Sequence, residues 1–417
     1  MKAAELESPP ANPSFIGMQG YLDPAPQGID AKHAWLHAGG NGLNIKVIDI
    51  EGAWNFSHED LIQNQGGVVG DTPTSNIGWE NHGTAVQGEI AGDKNGIGIV
   101  GITPKSNFSA VSIFGSGNST AKALKTAADH LSAGDIILIE LHRAGPNSNG
   151  NGQFGYIAIE WWTADFDAVK YATAKGVIVI AAAGNGSQNL DDAVYQNKFK
   201  RSNRDSGAIL VGAGAPPSGN FGPDRSRLGF SNYGAIIDAQ GWGREVTTSG
   251  YGDLQGGNNK NKHYTKAFSG TSSASPIVVG AVAALQGIRK AKGVQVLTYQ
   301  EIRNVLHTTG SPQTNAPGRP ATQRIGNRPN LKDAIVKITP NVISSGYASK
   351  YWLELEAYPA SSDRSLWLYV NNGWRRLDNP NVVSSDTVQR AFLGSGSKVK
   401  VWYNSSNIIV GLIVEGN

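Results

Sequence analysis

The 417-residue chain has no cysteine and only two methionines. Without cysteine there is no disulfide, no thiolate metal site and no cysteine nucleophile. Charge is also scarce: 36 Lys and Arg stand against 33 Asp and Glu, a net +3 with 17% charged residues. So thin and balanced a distribution predicts no nucleic-acid or anionic-membrane partner. No window reaches 18 uninterrupted apolar residues, so no membrane span is expected. The N-terminal "MKAAELESPPANPSF" has no apolar central run and no cleavage pattern, and no signal peptide is read there. No repeat of fixed period occurs. The absence of any G-x-S-x-G excludes the nucleophile elbow of α/β-hydrolase esterases.

Against these gaps stand 53 glycines and 39% hydrophobic residues, in a chain too long for one ordinary core. Short β-branched runs, "LNIKVIDI", "FSAVSIF", "DIILIEL", "GVIVIAAAG" and "AILVGAGA", alternate with the helical patterns "TAKALKTAADHL" and "DFDAVKYATAKG". Continuous apolar strands separated by helices predict an α/β fold, a parallel sheet flanked by helices, with functional residues at the carboxyl ends of its strands. The pattern changes after "TNAPGRPATQRIGNRPNLKDAIVKITPN", which places a boundary between residues 1–337 and 338–417. The second part reads as a small antiparallel β-sandwich or β-barrel module without helices, with a turn at Asn372-Gly373. Its Trp367, Trp374, Trp402 and Tyr403 fit either a small core or a platform for a glycan or protein ligand.

Four stretches carry chemistry-bearing residues. "NIKVIDIEGAW" takes a buried strand into Asp49, and "NHGTAVQGEIAG" sets His82 before a small-residue helix. "VIVIAAAGNGSQ" leads an apolar strand into Asn185 between glycines, and "AFSGTSSASPIVVGAVAALQG" sets Ser269, Thr271, Ser272 and Ser273 before a buried helix. Alone, each has an ordinary structural reading: a turn or cap for Asp49, a helix-start histidine for His82, a left-handed turn for Asn185 and an N-cap for the serines.

Taken together, Asp, His and Ser in this chain order resemble the subtilase family of serine peptidases. The resemblance covers roughly residues 25 to 338 and is carried by the strand ending in Asp49, "HGT", "AAGN" and "GTSSASP". It implies Ser272 as nucleophile, His82 as its general base, Asp49 as the acid that orients the imidazole, and Asn185 as an oxyanion donor. The family's usual residues are replaced by Ala85 and Ser273 at two positions that do not carry the reaction. Beside Asp49 the sequence reads "DIEG"; Glu51 lies beyond the apolar run, so Asp49 is the expected acid.

The same resemblance implies a serine endopeptidase acting on protein or peptide substrates outside the cytoplasm. His142, Arg143, Ala144 and Gly145 of "LHRAGPNSNGNG" are expected to pair with the substrate main chain. "HEDL" and "DKNGIGIVGITP" imply a calcium ion held by Asp60, the Asn95 side chain and backbone oxygens of Asp93, Ile97 and Ile99, with Asp191 considered for another. The alternative from a different class is a catalytically idle scaffold whose C-terminal module binds a glycan or protein.

Overall fold

Apolar side chains run unbroken along the central strands because both faces of their sheet are covered. The computed structural model describes residues 13–416 apart from 116, 118, 340–343, 356–363, 379, 381, 395–396 and 404–406. Contacts divide the chain into two units, ending at Ile338 and starting at Thr339.

The first unit contains strands β1 (Lys46–Glu51), β2 (Gln65–Gly70), β3 (Asn107–Ser112), β4 (Ile136–Ile139), β5 (His142–Ala144), β6 (Tyr156–Ala158), β7 (Ile178–Ala182), β8 (Ile209–Gly214), β9 (Ile237–Trp242), β10 (Val246–Ser249) and β11 (Tyr264–Phe268). Its helices are α1 (Ala31–Ala34), α2 (Ile77–Ala91), α3 (Thr120–Asp129), α4 (Thr163–Ala174), α5 (Thr271–Ala291), α6 (Tyr299–Thr309) and α7 (Leu331–Ile338). Seven strands form one sheet in the order β2-β3-β1-β4-β7-β8-β9, and every pairing in it is parallel. From β1 the chain goes out to the edge strand β2, returns through β3 beside β1, then crosses to β4 on the other side. The carboxyl ends of β1 and β4 therefore flank the topological switch point, where open α/β sheets place their crevice.

Side-chain alternation sorts the core. Val47, Ile136 and Leu138 join the layer containing α5, while Ile48, Ile50, Ile137 and Ile139 join the layer containing α3 and α4. By the same period of two, Asp49 and Glu51 share the face of Val47. Helix α5 is 21 residues long and apolar enough to cross a membrane, but it is buried on all sides within the unit. It is a core helix of this layer.

In the second unit, β12 (Ser344–Tyr347), β13 (Lys350–Leu355), β14 (Arg364–Val370), β15 (Gly373–Asp378), β16 (Lys398–Tyr403) and β17 (Ile409–Glu415) form two three-stranded antiparallel sheets. A helix, α8 (Val382–Leu393), lies between β15 and β16 in the chain and corrects the expectation of a module without helices. Val388 and Ala391 are buried in the small core and Phe392 packs against it, the i, i+3, i+4 spacing of an amphipathic helix. Val370 pairs with Gly373, so the hairpin turn is Asn371-Asn372, one residue earlier than the sequence suggests; both have positive φ, at 48° and 61°. Two consecutive left-handed residues suit the right-handed twist of the strands, and asparagine tolerates them.

The tryptophans of β14 and β15 are not core residues. Leu366, Leu368 and Val370 face inward, which turns Trp367 to the other side of the sheet, in register with Trp352 and Arg376. Trp352 is 62% and Trp374 40% exposed. Tyr403, in contrast, is buried in the core as the sequence allowed.

Candidate active site

The site is assembled by one strand end, two helices and two loops. Asn76 caps α2 by accepting the N–H groups of Gly78 and Trp79, which fixes where the helix starts and places His82 in its second turn. Past His82 the helix is buried all round, and its small residues permit close packing. At Gly83 a Cβ would lie 2.4 Å from Glu51 Oε1 and 2.3 Å from the Ala53 carbonyl oxygen, so glycine alone leaves room for the β1 carboxylate to reach the imidazole.

That carboxylate belongs to Glu51. Its Oε2 lies 2.5 Å from His82 Nδ1, and its side chain is fully buried. This corrects the expectation that Asp49 meets the imidazole. Strand β1 continues through Glu51, which makes Glu51 the carboxyl-end residue on the face turned to α2, while Asp49 sits one pleat deeper. Asp49 Oδ2 accepts the indole N–H of Trp54 at 2.8 Å, and its carboxyl shares a hydrogen bond with Glu51. Burial, then the neighbouring Glu51 charge, raises the Asp49 pKa well above the usual carboxylate range. Burial raises the Glu51 pKa as well, and the hydrogen bond from a protonated Asp49 opposes that rise by favouring the charged form of Glu51. Burial lowers the His82 pKa. With Nδ1–H given to Glu51, the imidazole presents a free lone pair on Nε2.

Opposite stands the start of α5. Among the hydroxyls from Ser269 to Ser275, Ser269 accepts from Arg244, Thr271 donates to Asn185 Oδ1, Ser273 donates to the Trp242 carbonyl, and Ser275 contacts Glu140 and the Thr271 carbonyl. Ser272 Oγ approaches the Glu140 carboxyl without a well-formed hydrogen bond to Oε2. Ser272 lines a cleft of about 750 Å³ together with His82, Glu140, Asn185, Trp79 and Arg244.

Asn185 follows β7. Its Oδ1 accepts both the N–H and the hydroxyl of Thr271, each at 2.9 Å, which turns Nδ2 toward Gly270 and the Ser272 N–H. In the resting site Nδ2 donates to Gln153 Oε1 at 3.2 Å.

The expected substrate segment forms strand β5 plus Gly145. One edge of β5 pairs with β6, and the other pairs with no strand among the described residues. Neither basic side chain offers a free positive charge. His142 Nδ1 accepts the Asn185 N–H at 3.2 Å, and burial followed by the His82 charge brings its pKa down to about 4. Arg143 is paired with Asp165 and lies over the Trp162 ring.

The residues of the expected calcium loop are gathered, but around protons. Asp60 Oδ1 accepts from Asn95 Nδ2 at 2.8 Å, and Oδ2 accepts from the Ile99 N–H at 2.6 Å and the Tyr264 hydroxyl at 3.2 Å. Asn95 Oδ1 takes the Ile97 N–H, and the Asp93 carboxyl takes the N–H groups of Ile62 and Gln63. Burial brings the Asp60 pKa up to about 7, whereas a hard cation needs an ionised ligand. Asp191 caps Ala235 through its N–H. As placed, the Asp60 and Asn95 side-chain oxygens meant for the ion face N–H and O–H donors, which does not suit a calcium site. EDTA is therefore expected to leave the melting temperature unchanged. A fall of more than about 3 °C, roughly 1 kcal/mol in a domain of this size, would show that the loop is metal-bound.

A half-buried imidazole backed by a buried carboxylate, in one cleft with a helix-start serine at the switch point of a parallel sheet, defines a serine-hydrolase type of site. Comparison with known proteins narrows the class. Residues 26–332 match the model of the Subtilase family. The chain is 28% identical to subtilisin DY of Bacillus licheniformis over 278 residues, 66% of this chain and 86% of that protein. It is 32% identical to alkaline elastase YaB of a Bacillus strain over 282 residues, 65% of this chain and 61% of that protein. The solved structure of fervidolysin from Fervidobacterium pennivorans, described as a keratinolytic enzyme related to subtilisin, aligns with a TM-score of 0.51 at 21% identity, covering 89% of this chain and 53% of that one. This chain belongs to the subtilase family and is a subtilisin-like serine peptidase.

Proposed function

We propose that the chain is a serine endopeptidase working through an acyl-enzyme, with Glu51 in place of Asp49 as the acid behind His82. The observation that carries this reading is the 2.5 Å contact of Glu51 Oε2 with His82 Nδ1, in the cleft that Ser272 lines. A serine hydroxyl is a poor nucleophile at its free pKa, so it needs a base already in the right tautomer. Glu51 holds that tautomer, Nδ1–H toward itself and Nε2 toward the cleft, and stabilises the imidazolium that forms. Ser272 Oγ attacks the substrate carbonyl carbon as its proton passes to His82 Nε2. The electron pair of the C=O moves onto oxygen, which lies between Asn185 Nδ2 and the Ser272 N–H. The imidazolium returns the proton to the leaving amine, and water repeats the sequence on the acyl-enzyme.

The substrate main chain is read along the open edge of β5, and its carbonyl displaces Gln153 from Asn185. Action outside the cytoplasm belongs to the same reading. The chemistry is tested by incubating the protein with a serine-directed phosphonyl reagent and mapping the adduct. Modification of Ser272 with matching loss of cleavage of an unfolded protein substrate is expected; an adduct elsewhere, or cleavage that survives full modification of Ser272, overturns the reading.

A further inference from the structure

Glu140 follows β4 and lies in the floor of the cleft, 5% exposed. Its Oε1 is 2.5 Å from Ser275 Oγ, and the same Oγ is 2.7 Å from the Thr271 carbonyl oxygen. Ser275 has one hydroxyl proton, and a carbonyl has none to give. Two contacts of hydrogen-bond length must share that one proton unless Glu140 carries a second, and a protonated Glu140 satisfies both. In that arrangement Glu140 donates to Ser275 and Ser275 donates back to Thr271, the usual serine bond to the i−4 carbonyl.

The surroundings favour the same protonation state. Asp49 and Glu51 on β1 and Glu89 on α2 are buried acids coupled to Glu140, and Glu89 has neither oxygen hydrogen-bonded. His82 of α2 favours ionisation of Glu140 only when it is itself protonated, Asp49 in its protonated form adds no charge, and β7 presents only buried apolar residues. From α5 the hydroxyls of Ser272 and Ser275 favour the ionised form, against which burial prevails. Burial, the largest influence, brings its pKa up to about 8.

We propose that Glu140 is a further catalytic residue, working as its neutral acid beneath Ser272, and that its ionisation turns the site off. The proposal rests on Ser272 being the nucleophile. While protonated, Glu140 leaves no charge beside the forming oxyanion, and its bare Oε2 is a weak acceptor that releases the Ser272 hydroxyl to His82. Once ionised, it holds that hydroxyl by a charge-assisted hydrogen bond directed away from the imidazole and repels the oxyanion. No bond to Glu140 forms or breaks during turnover; the Ser272 proton travels to His82 and on to the leaving amine.

The test is the pH profile of kcat/KM on one peptide for the full chain and for the Glu140→Gln and Ser275→Ala variants, with active sites counted by phosphonyl labelling of Ser272. The wild-type chain is expected to lose activity above about pH 8, and Glu140→Gln to show no such decline up to about pH 10, whatever its plateau. Ser275→Ala removes the acceptor of the Glu140 proton, so the decline should move to lower pH. The same variant moves it to higher pH if Ser275 instead donates to a carboxylate, and that result overturns the proposal even if Glu140→Gln fails to fold. A decline that persists in Glu140→Gln also overturns it. Wild-type protein unlabelled at Ser272 overturns the nucleophile assignment along with it, whereas labelling with unchanged profiles overturns this proposal alone.

Discussion

Replacing Ser272 with alanine is expected to lower peptide-bond turnover by about 10⁴- to 10⁶-fold, because members of a nucleophile–base unit fail together when one is removed. Stability should barely change. Glu140 Oε2 beside the Ser272 hydroxyl already lacks a well-formed hydrogen bond, so loss of the hydroxyl leaves no further buried group unpaired. The backbone is also undisturbed: Ser272 lies in the first turn of α5, held by Thr271 on Asn185, and alanine is a good helix former there. Turnover and thermal melting measured on the same preparation check both halves. Ordinary activity in a folded Ser272→Ala protein would remove the residue from the chemistry.

The second large effect separates two neighbouring acids. Glu51→Gln should lower kcat by about 10³- to 10⁴-fold, the scale set by losing control of the histidine tautomer. A glutamine can turn its amide N–H₂ toward Nδ1, which forces the ring proton onto Nε2 and leaves no lone pair for Ser272. Asp49→Asn is expected to cost no more than about tenfold, the scale of one neutral hydrogen bond. Its amide oxygen still accepts from Trp54, and its N–H₂ replaces the carboxyl proton given to Glu51. The ratio of the two kcat losses, with melting temperatures as a folding control, decides the matter. A larger loss for Asp49→Asn would return the acid role to Asp49.

The confusion between these acids shows where the sequence stops being legible. Strands buried on both faces are continuous apolar runs, so the sheet and its layers were readable from β-branched segments alone. His82, Asn185 and Ser272 were readable because small residues and glycines mark the turns that hold them. Glu51 was not, because Ile50 looked like the last strand residue while β1 runs on through Glu51. The available signal was the parity of the strand: residues 49 and 51 share a face, and the outer one is nearer the crevice. Glu140 sits inside "DIILIEL" and looks like a polar strand end; only the packing of α5 reveals what it touches. The Asp60 loop is hard to read for a different reason. Oxygens that suit calcium also suit N–H donors, and a sequence does not say which arrive. In the second unit, the spacing of Val388, Ala391 and Phe392 was a helix signal overshadowed by the strands around it.

Gly270 has a consequence beyond its place in the chain. Its φ of 104° lies where other L-residues are strained. A Cβ built there would sit 3.3 Å from Asn185 Nδ2 and 3.5 Å from the Ser272 nitrogen. Those are the two donors proposed for the substrate oxygen, and under that proposal its place borders the volume of a missing methyl group. The hole is thus moulded by subtraction: the chain withholds one side chain at a point where two N–H groups converge, and that vacancy is as much a part of the catalytic apparatus as any group that fills space.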